Sequence, residues 1–286
     1  MAFSSIDWRS AMETLKKFRE DNVRASDDVV ELGEHLITNY RSKLGKEIWN
    51  IYEQVFIAAL DCGREDLAEV CLEALQRQFP KSTRVYKLEA MALEATGNFK
   101  EAEEVYLKCL SRDKANAPAR KRLVAIYKAI GDQASAIAHL NYYLESFMTD
   151  QEAWMELADL YISLMDYSKA AFCMEELILT SPYNHYYYQR CAEIYYTMNG
   201  IENIESARKY FAQSLKLNSK NMRSLYGFFM ASSQLLQSQK ISSKSKKDNS
   251  RYAAWASAQI MEKYQELKSQ SVTVENLGAV LDSLTL

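Results

Sequence analysis

The sequence predicts an all-α protein, a right-handed solenoid of paired helices with helical caps at both ends. Three observations carry that prediction. Small residues recur at a fixed period, with Ala68, Ala102, Ala136 and Ala170 each 34 residues apart. Gly63, Gly97 and Gly131 keep the same period, and glycine supplies the positive φ that a helix C-terminus often needs. Between these markers apolar residues fall three and four apart, in a chain of 286 residues with only three prolines and eight glycines. That spacing lines one face of a helix.

The pattern is clearest over 151–184. Trp154, Leu157, Ala158 and Tyr161 share one face of a first helix, and Ala170, Met174 and Leu177 share one face of a second. Pro182 follows, and proline cannot sit in a helix interior. This order is close to the tetratricopeptide pattern W-x-x-L-G-x-x-Y…A-x-x-x-F…P, a helix–turn–helix unit of about 34 residues. Stepping back by that period maps Ala158 onto Val124, Ala90 and Phe56, and Met174 onto Leu140, Tyr106 and Leu72. One unit cannot bury its own apolar face, so repeats must stack.

Taken in order, residues 1–48 form N-terminal capping helices. The first covers 5–20, capped by Ser5 or Asp7, with Trp8, Met12, Leu15 and Phe18 on its packed face. The second starts at Ser26, packs Val29, Val30, Leu32, Leu36, Ile37 and Tyr40, and closes at Gly45. Five repeats follow, at 49–82, 83–116, 117–150, 151–184 and 185–221. The fifth is three residues long of register at Ala207 and Phe211, and the insertion is placed in the turn Asn199–Glu205. Residues 222–268 read as a divergent sixth helical pair. Its first helix carries Leu225, Phe228, Phe229 and Leu235, and its second carries Tyr252, Trp255, Ala256, Ile260 and Tyr264. Between them QSQKISSKSKKDNS, 237–250, is Ser/Lys-rich and is expected to be a mobile basic loop. Residues 269–286 form a C-terminal tail.

Composition excludes several function classes. The formal net charge of −3 gives no reason to expect nucleic-acid binding. No run approaches the length of a membrane-spanning helix, and the first twenty residues lack the apolar core of a secretion signal. Cys62, Cys71, Cys109, Cys173 and Cys191 form no C-x-x-C pair and read as buried thiols in a reducing compartment. His35, His139 and His185 are far apart, so no metal site is expected. No phosphate-cradling loop is present, and pairs such as Glu103–Glu104 and Glu175–Glu176 read as solvated faces. Neither a cofactor nor an enzymatic activity is expected.

Binding remains. First helices of such arrays line a groove suited to a helix or an extended segment of another protein. On this register the partner-binding candidates are Arg84, Lys87, Lys121, Met155, Ile162, Tyr186, Gln189 and Tyr196. A carboxylate clamp of the chaperone-tail kind would need lysine at the fifth and asparagine at the ninth position of one repeat. The fifth positions are Glu53, Lys87, Lys121, Met155 and Gln189, and the ninth are Ile57, Met91, Ala125, Asp159 and Glu193, so no repeat has the pair.

Several stretches resemble one family. IWNIYEQVFIAALDCGREDLAEVCL (48–72), QEAWMELADLYISLMDYSKAAFCMEEL (151–177), SARKYFAQSLKLNSKNMRSLYG (206–227) and KSKKDNSRYAAWASAQI (244–260) are similar to the subunit 2 family of the endoplasmic reticulum membrane protein complex. The resemblance spans about 29–268. It implies a non-catalytic scaffold, peripheral on the cytoplasmic face of the endoplasmic reticulum membrane. The complex acts as an insertase for tail-anchored and multipass proteins. The implied partners are cytosolic segments of integral subunits, one of them YidC-like, and a second soluble cytosolic subunit. A different scaffold class, an adaptor in RNA processing or ribosome-associated quality control, is the alternative that the residues alone leave open.

Overall fold

The computed structural model describes residues 7–239, 241–266 and Val280. Among the described residues every regular element is helical, and the α-helices follow one another as antiparallel pairs. The capping helices are α1 (Trp8–Glu20) and α2 (Ser26–Asn39). The repeats follow as α3 (Ile48–Asp61) with α4 (Glu65–Gln78), α5 (Thr83–Ala95) with α6 (Phe99–Arg112), and α7 (Ala117–Ile130) with α8 (Gln133–Ser146). Then come α9 (Gln151–Ser163) with α10 (Tyr167–Thr180), α11 (His185–Met198) with α12 (Ile201–Leu217), and α13 (Met222–Gln237) with α14 (Ser243–Glu266).

The period is written into the helix ends. Asn116, Asp150, Asn184 and Asn221 stand at the N-caps of α7, α9, α11 and α13, and each accepts from a backbone N–H of its first turn. Such a cap stabilises a helix start by about 1 kcal/mol. The turns inside the pairs keep the period too. Gly63, Gly97 and Gly131 have φ of 69°, 77° and 86°, and the next two steps of 34 land on Met165 and Asn199, at 59° and 57°. Ala102, Ala136, Ala170 and Ala207 are fully buried where paired helices meet, and Ala68 nearly so.

The chain divides into two compact units within α8, at Tyr143–Leu144. In the first, α1 and α2 pack Ala11, Leu15, Leu32 and Leu36 into one core with Ile51, Val55 and Phe56 of α3. A second core joins Ala90, Ala102, Tyr106, Cys109, Leu123 and Ile126. In the second unit Phe211, Phe228 and Phe229 meet Ala253, Ala256 and Ile260 of α14. Four cysteines are buried, Cys62 is half-buried, and all five are unpaired.

Three expectations are corrected. The basic stretch 237–250 is not one loop, because α14 is helical from Ser243 and its Asn249 is fully buried. The polar start of α14 can pack because its buried amide is satisfied: Asn249 accepts from Arg208 and donates to the Ser245 carbonyl. The three extra residues of the fifth repeat do not lengthen the turn. They extend α12 to 17 residues, against the 14 of α10. Gly45 does not close α2, which ends at Asn39 and leads into short 3-10 turns at Arg41–Lys43 and Gly45–Glu47. Asp7 is the N-cap position of α1 but makes no side-chain cap. Ser5 and, apart from Val280, the 269–286 tail lie outside the described residues.

Candidate functional site

In the second unit the first helices of three successive pairs, α9, α11 and α13, border a cavity of about 430 Å³. Its apolar lining includes Ile162, Ile194, Tyr196, Phe211, Tyr226 and Met230. Gly227 belongs to the same wall, and its missing side chain matters. A Cβ there would lie 2.3 Å from the Phe211 ring, so only glycine lets α13 close onto that phenylalanine.

The rim is a chain of ion pairs running from one repeat to the next. Arg190 Nη2 donates to Asp159 Oδ1 at 3.0 Å and its Nη1 lies 3.6 Å from Glu193. Arg223 then grips both oxygens of Glu193, its Nη2 donating to Oε2 at 3.0 Å. Gln189 donates to Glu193 at 3.0 Å and accepts from Asn221 at 2.8 Å. Two arginines thus balance Asp159 and Glu193. A neutral rim over an apolar floor suits an apolar side chain from a partner, with the rim fixing its direction. Burial raises the Tyr196 and Tyr226 phenol pKa values, and a hydrogen bond with Tyr264 adds to the rise at Tyr226. Both rings are therefore neutral surfaces at physiological pH.

Among the eight candidates, the structure brings Ile162 and Tyr196 together in this cavity. Met155 and Tyr186 are exposed on the same unit, 45 % and 64 % respectively. Gln189 is committed to Glu193 and Asn221. The three basic candidates belong to the first unit and do not line its groove. Arg84 is paired with Glu53 at 2.6 Å, Lys121 sits 5.6 Å from the Tyr143 ring centre, and Lys87 is half-buried. That groove, about 760 Å³, is bordered instead by α1, α2, α3 and α5, with Phe18, Val23, Ile57 and Met91 as its apolar contacts. Arg24 and Arg122 at its edge are tied to Asp61 at 2.6 Å and Glu94 at 3.2 Å.

Sequence reasoning missed Tyr226 and Met230, although a signal for them existed. Adding the three-residue insertion to the period carries the fifth position from Gln189 to Tyr226 and the ninth from Glu193 to Met230. Arg190, Glu193 and Arg223 were not legible as a rim, because their partners are set by which side chains face one another across helices. No group of His, Cys, Asp and Glu able to hold a metal ion occurs among the described residues. No helix among them is long and apolar enough to cross a membrane.

Comparison with known proteins adds to this picture. Residues 67–216 match the family described as the EMC2 TPR-like repeat domain. ER membrane protein complex subunit 2 of Xenopus tropicalis is 51 % identical over 280 residues, covering 98 % of this chain and 94 % of that protein. The protein of that name from Dictyostelium discoideum is 36 % identical over 217 residues, covering 75 % and 67 %. Among solved structures, the C-terminal part of a TPR repeat-containing protein from Cytophaga hutchinsonii superposes with a TM-score of 0.63 at 15 % identity, over 90 % of this chain and 95 % of that one. That likeness shows the tetratricopeptide fold alone.

Proposed function

The chain belongs to the ER membrane protein complex subunit 2 family, and from that premise we propose that it is a non-catalytic scaffold subunit of that complex. It bridges cytosolic segments of the insertase subunits that place tail-anchored and multipass transmembrane helices into the membrane. It works from the cytoplasmic face as a peripheral subunit. Its partners are the integral subunits, a YidC-like one among them, and a second soluble subunit. The observation that carries this reading is the 51 % identity across nearly the full length of both chains. Likeness of that extent covers the capping helices and α14 as well as the repeats, so it goes beyond a shared repeat consensus.

The second unit's cavity supplies a physical means. Its apolar floor can bury one anchor side chain of a partner segment, and interface energy concentrates in such buried anchors. Met155 and Tyr186, exposed on first helices of the same unit, add contact area. The test is capture of tagged chain from membranes solubilised in mild detergent, with partners identified. The reading expects integral membrane subunits to co-purify, and Ile162→Asp with Met230→Asp to weaken their recovery. Recovery of RNA-binding partners that disappear on nuclease treatment, with no integral subunit, would favour the adaptor alternative.

A further inference from the structure

We propose that one edge of the first unit is a contact surface for anionic phospholipid headgroups, formed by Arg9, Arg41, Lys43, Lys46, Lys81 and Lys114. All six are exposed. They come from separate places in the sequence: the start of α1, the link from α2 to α3, and the loops that lead into α5 and α7. In an antiparallel stack these points share one edge, and side-chain contacts join them along it. Lys43 Nζ lies 5.9 Å from the Trp8 ring centre and 5.2 Å from that of Tyr40, while Arg9 lies 5.3 Å from Trp8. Trp49 meets Phe79 edge-on at 5.5 Å, linking the start of α3 to the next loop. At the end of α6, Arg112 donates to the Lys81 carbonyl at 3.1 Å.

Positive charge is in excess on this edge. None of the six cations has a carboxylate within ion-pair distance among the described residues. Of the nearby acids, Glu47 is paired with Arg19 at 3.1 Å, while Asp113, which accepts from the Ala115 backbone at 3.1 Å, keeps its charge, as does Asp7. The opposite edge of the unit is different. It exposes Asp21, Asp27, Asp28, Glu65, Asp66 and Asp132 against Lys100, and its Arg24 and Arg64 are already held by carboxylates. The first unit is therefore polarised, although the whole chain is acidic.

Three features select a lipid surface over other polyanions. The cations are spread along an edge of loops and do not converge in a cleft. Aromatic rings of the kind found at membrane interfaces, Trp8, Tyr40 and Trp49, lie among them. Single-stranded RNA would need open ring faces for its bases to stack on. Here cations already lie over several rings: Arg9 and Lys43 over Trp8, Lys43 over Tyr40 at 5.2 Å, and Lys108 and Arg112 over Tyr86 at 4.8 Å each. Such a contact orients a chain that its partners already hold and does not hold it unaided.

The test uses the full purified chain with vesicles of phosphatidylcholine, with and without phosphatidylserine. We expect co-sedimentation with phosphatidylserine vesicles at low salt and release toward physiological salt. Replacing Arg9, Arg41, Lys43 and Lys46 by Glu should weaken that binding by about tenfold or more. The pair Lys81→Glu with Lys114→Glu gives a second reading, and thermal melts verify that every variant is folded. Three results would each overturn the proposal: no dependence on phosphatidylserine at low salt, equal binding by folded variants, or displacement from the vesicles by single-stranded RNA. The charge-reversed chain should still co-purify with the integral subunits. Failure of the unaltered chain to do so counts against the scaffold reading and leaves the lipid contact standing.

Discussion

Arg208 Nη1 donates to Asn249 Oδ1 at 2.5 Å across 41 residues of sequence, tying α12 to the first turns of α14. The amide is fully buried, and its nitrogen in turn donates to the Ser245 carbonyl at 2.9 Å. The guanidinium also lies 5.1 Å from the Tyr252 ring centre, so one arginine grips two successive turns of α14.

Asn249→Leu should therefore destabilise the second unit by about 1–3 kcal/mol, the cost of stranding buried hydrogen-bonding groups. Urea titration of both proteins measures it. A midpoint unchanged within error would show that the contact contributes nothing. Deleting 238–249 should likewise abolish cooperative unfolding of α14.

This contact also shows where sequence reading stops. The period of 34 exposed the repeats because sterics at helix crossings admit only small residues, so Ala102, Ala136 and Ala170 recur. Asn249 follows no period. Its burial depends on one long-range arginine, and the Ser/Lys composition around it reads as solvent. The candidate site divides the same way. That Ile162 and Tyr196 line one cavity is legible, because their place in the repeat fixes which face they occupy. The pairing of Arg223 with Glu193 is not, because it depends on the distance between neighbouring repeats.

Ala136→Arg and Ala170→Arg should each cost several kcal/mol, about the range for overpacking added to an unpaired buried charge. Both alanines are fully buried. Lys169→Arg is the control. Lys169 is 63 % exposed in its pair with Asp166, where arginine can keep the contact, so little should change. Thermal melts of the three variants decide the assigned register.

Met165 occupies the turn position that glycine fills three times in a row, at φ 59°, and is 75 % exposed. A residue with a Cβ pays about 1–2 kcal/mol in that conformation. Met165→Gly removes this penalty and loses little packing, so it should raise stability by roughly 0.5–1 kcal/mol after glycine's own entropy cost. Gly97→Ala should lower stability for the converse reason. Equilibrium unfolding of the two variants tests both signs, and a destabilised Met165→Gly would contradict the strain argument.

Four tyrosines donate to buried-edge carboxylates: Tyr106 to Glu94, Tyr127 to Glu103 at 2.5 Å, and Tyr195 and Tyr210 to Glu175 at 2.7 and 3.0 Å. Burial first, and then the carboxylate, pushes Tyr127 up from 10.0 to about 12, and the other three also rise. The unfolded chain gives up these protons first, near pH 10. Stability from these phenols is thus complete below about pH 10 and is lost as pH climbs toward the folded values. Buried Cys71 and Cys173, pushed up from 9.0 to about 12, act in the same direction. The denaturation midpoint, followed with tyrosinate absorbance, should fall steeply on the alkaline side. Tyr127→Phe should flatten part of that fall, and an unaltered slope would remove Tyr127 from the account.

Membrane attachment should survive salt and depend on protein partners. No helix among the described residues is long and apolar enough to cross a bilayer, and two other means of attachment can be weighed: lipid contact at the surface and other subunits. The basic edge offers six cations, each contributing about 1 kcal/mol beside an anionic surface at low salt and progressively less as the Debye length shortens. Such a contact fails in a high-salt wash. Burial of a partner's apolar anchor in the cavity beneath Arg190 and Arg223 does not, because removing apolar area from water is not screened by ions. Isolated endoplasmic reticulum membranes washed at high salt should therefore retain the chain, and depletion of the integral subunits should release it. Release by salt alone would mean that lipid, and not protein, holds it there.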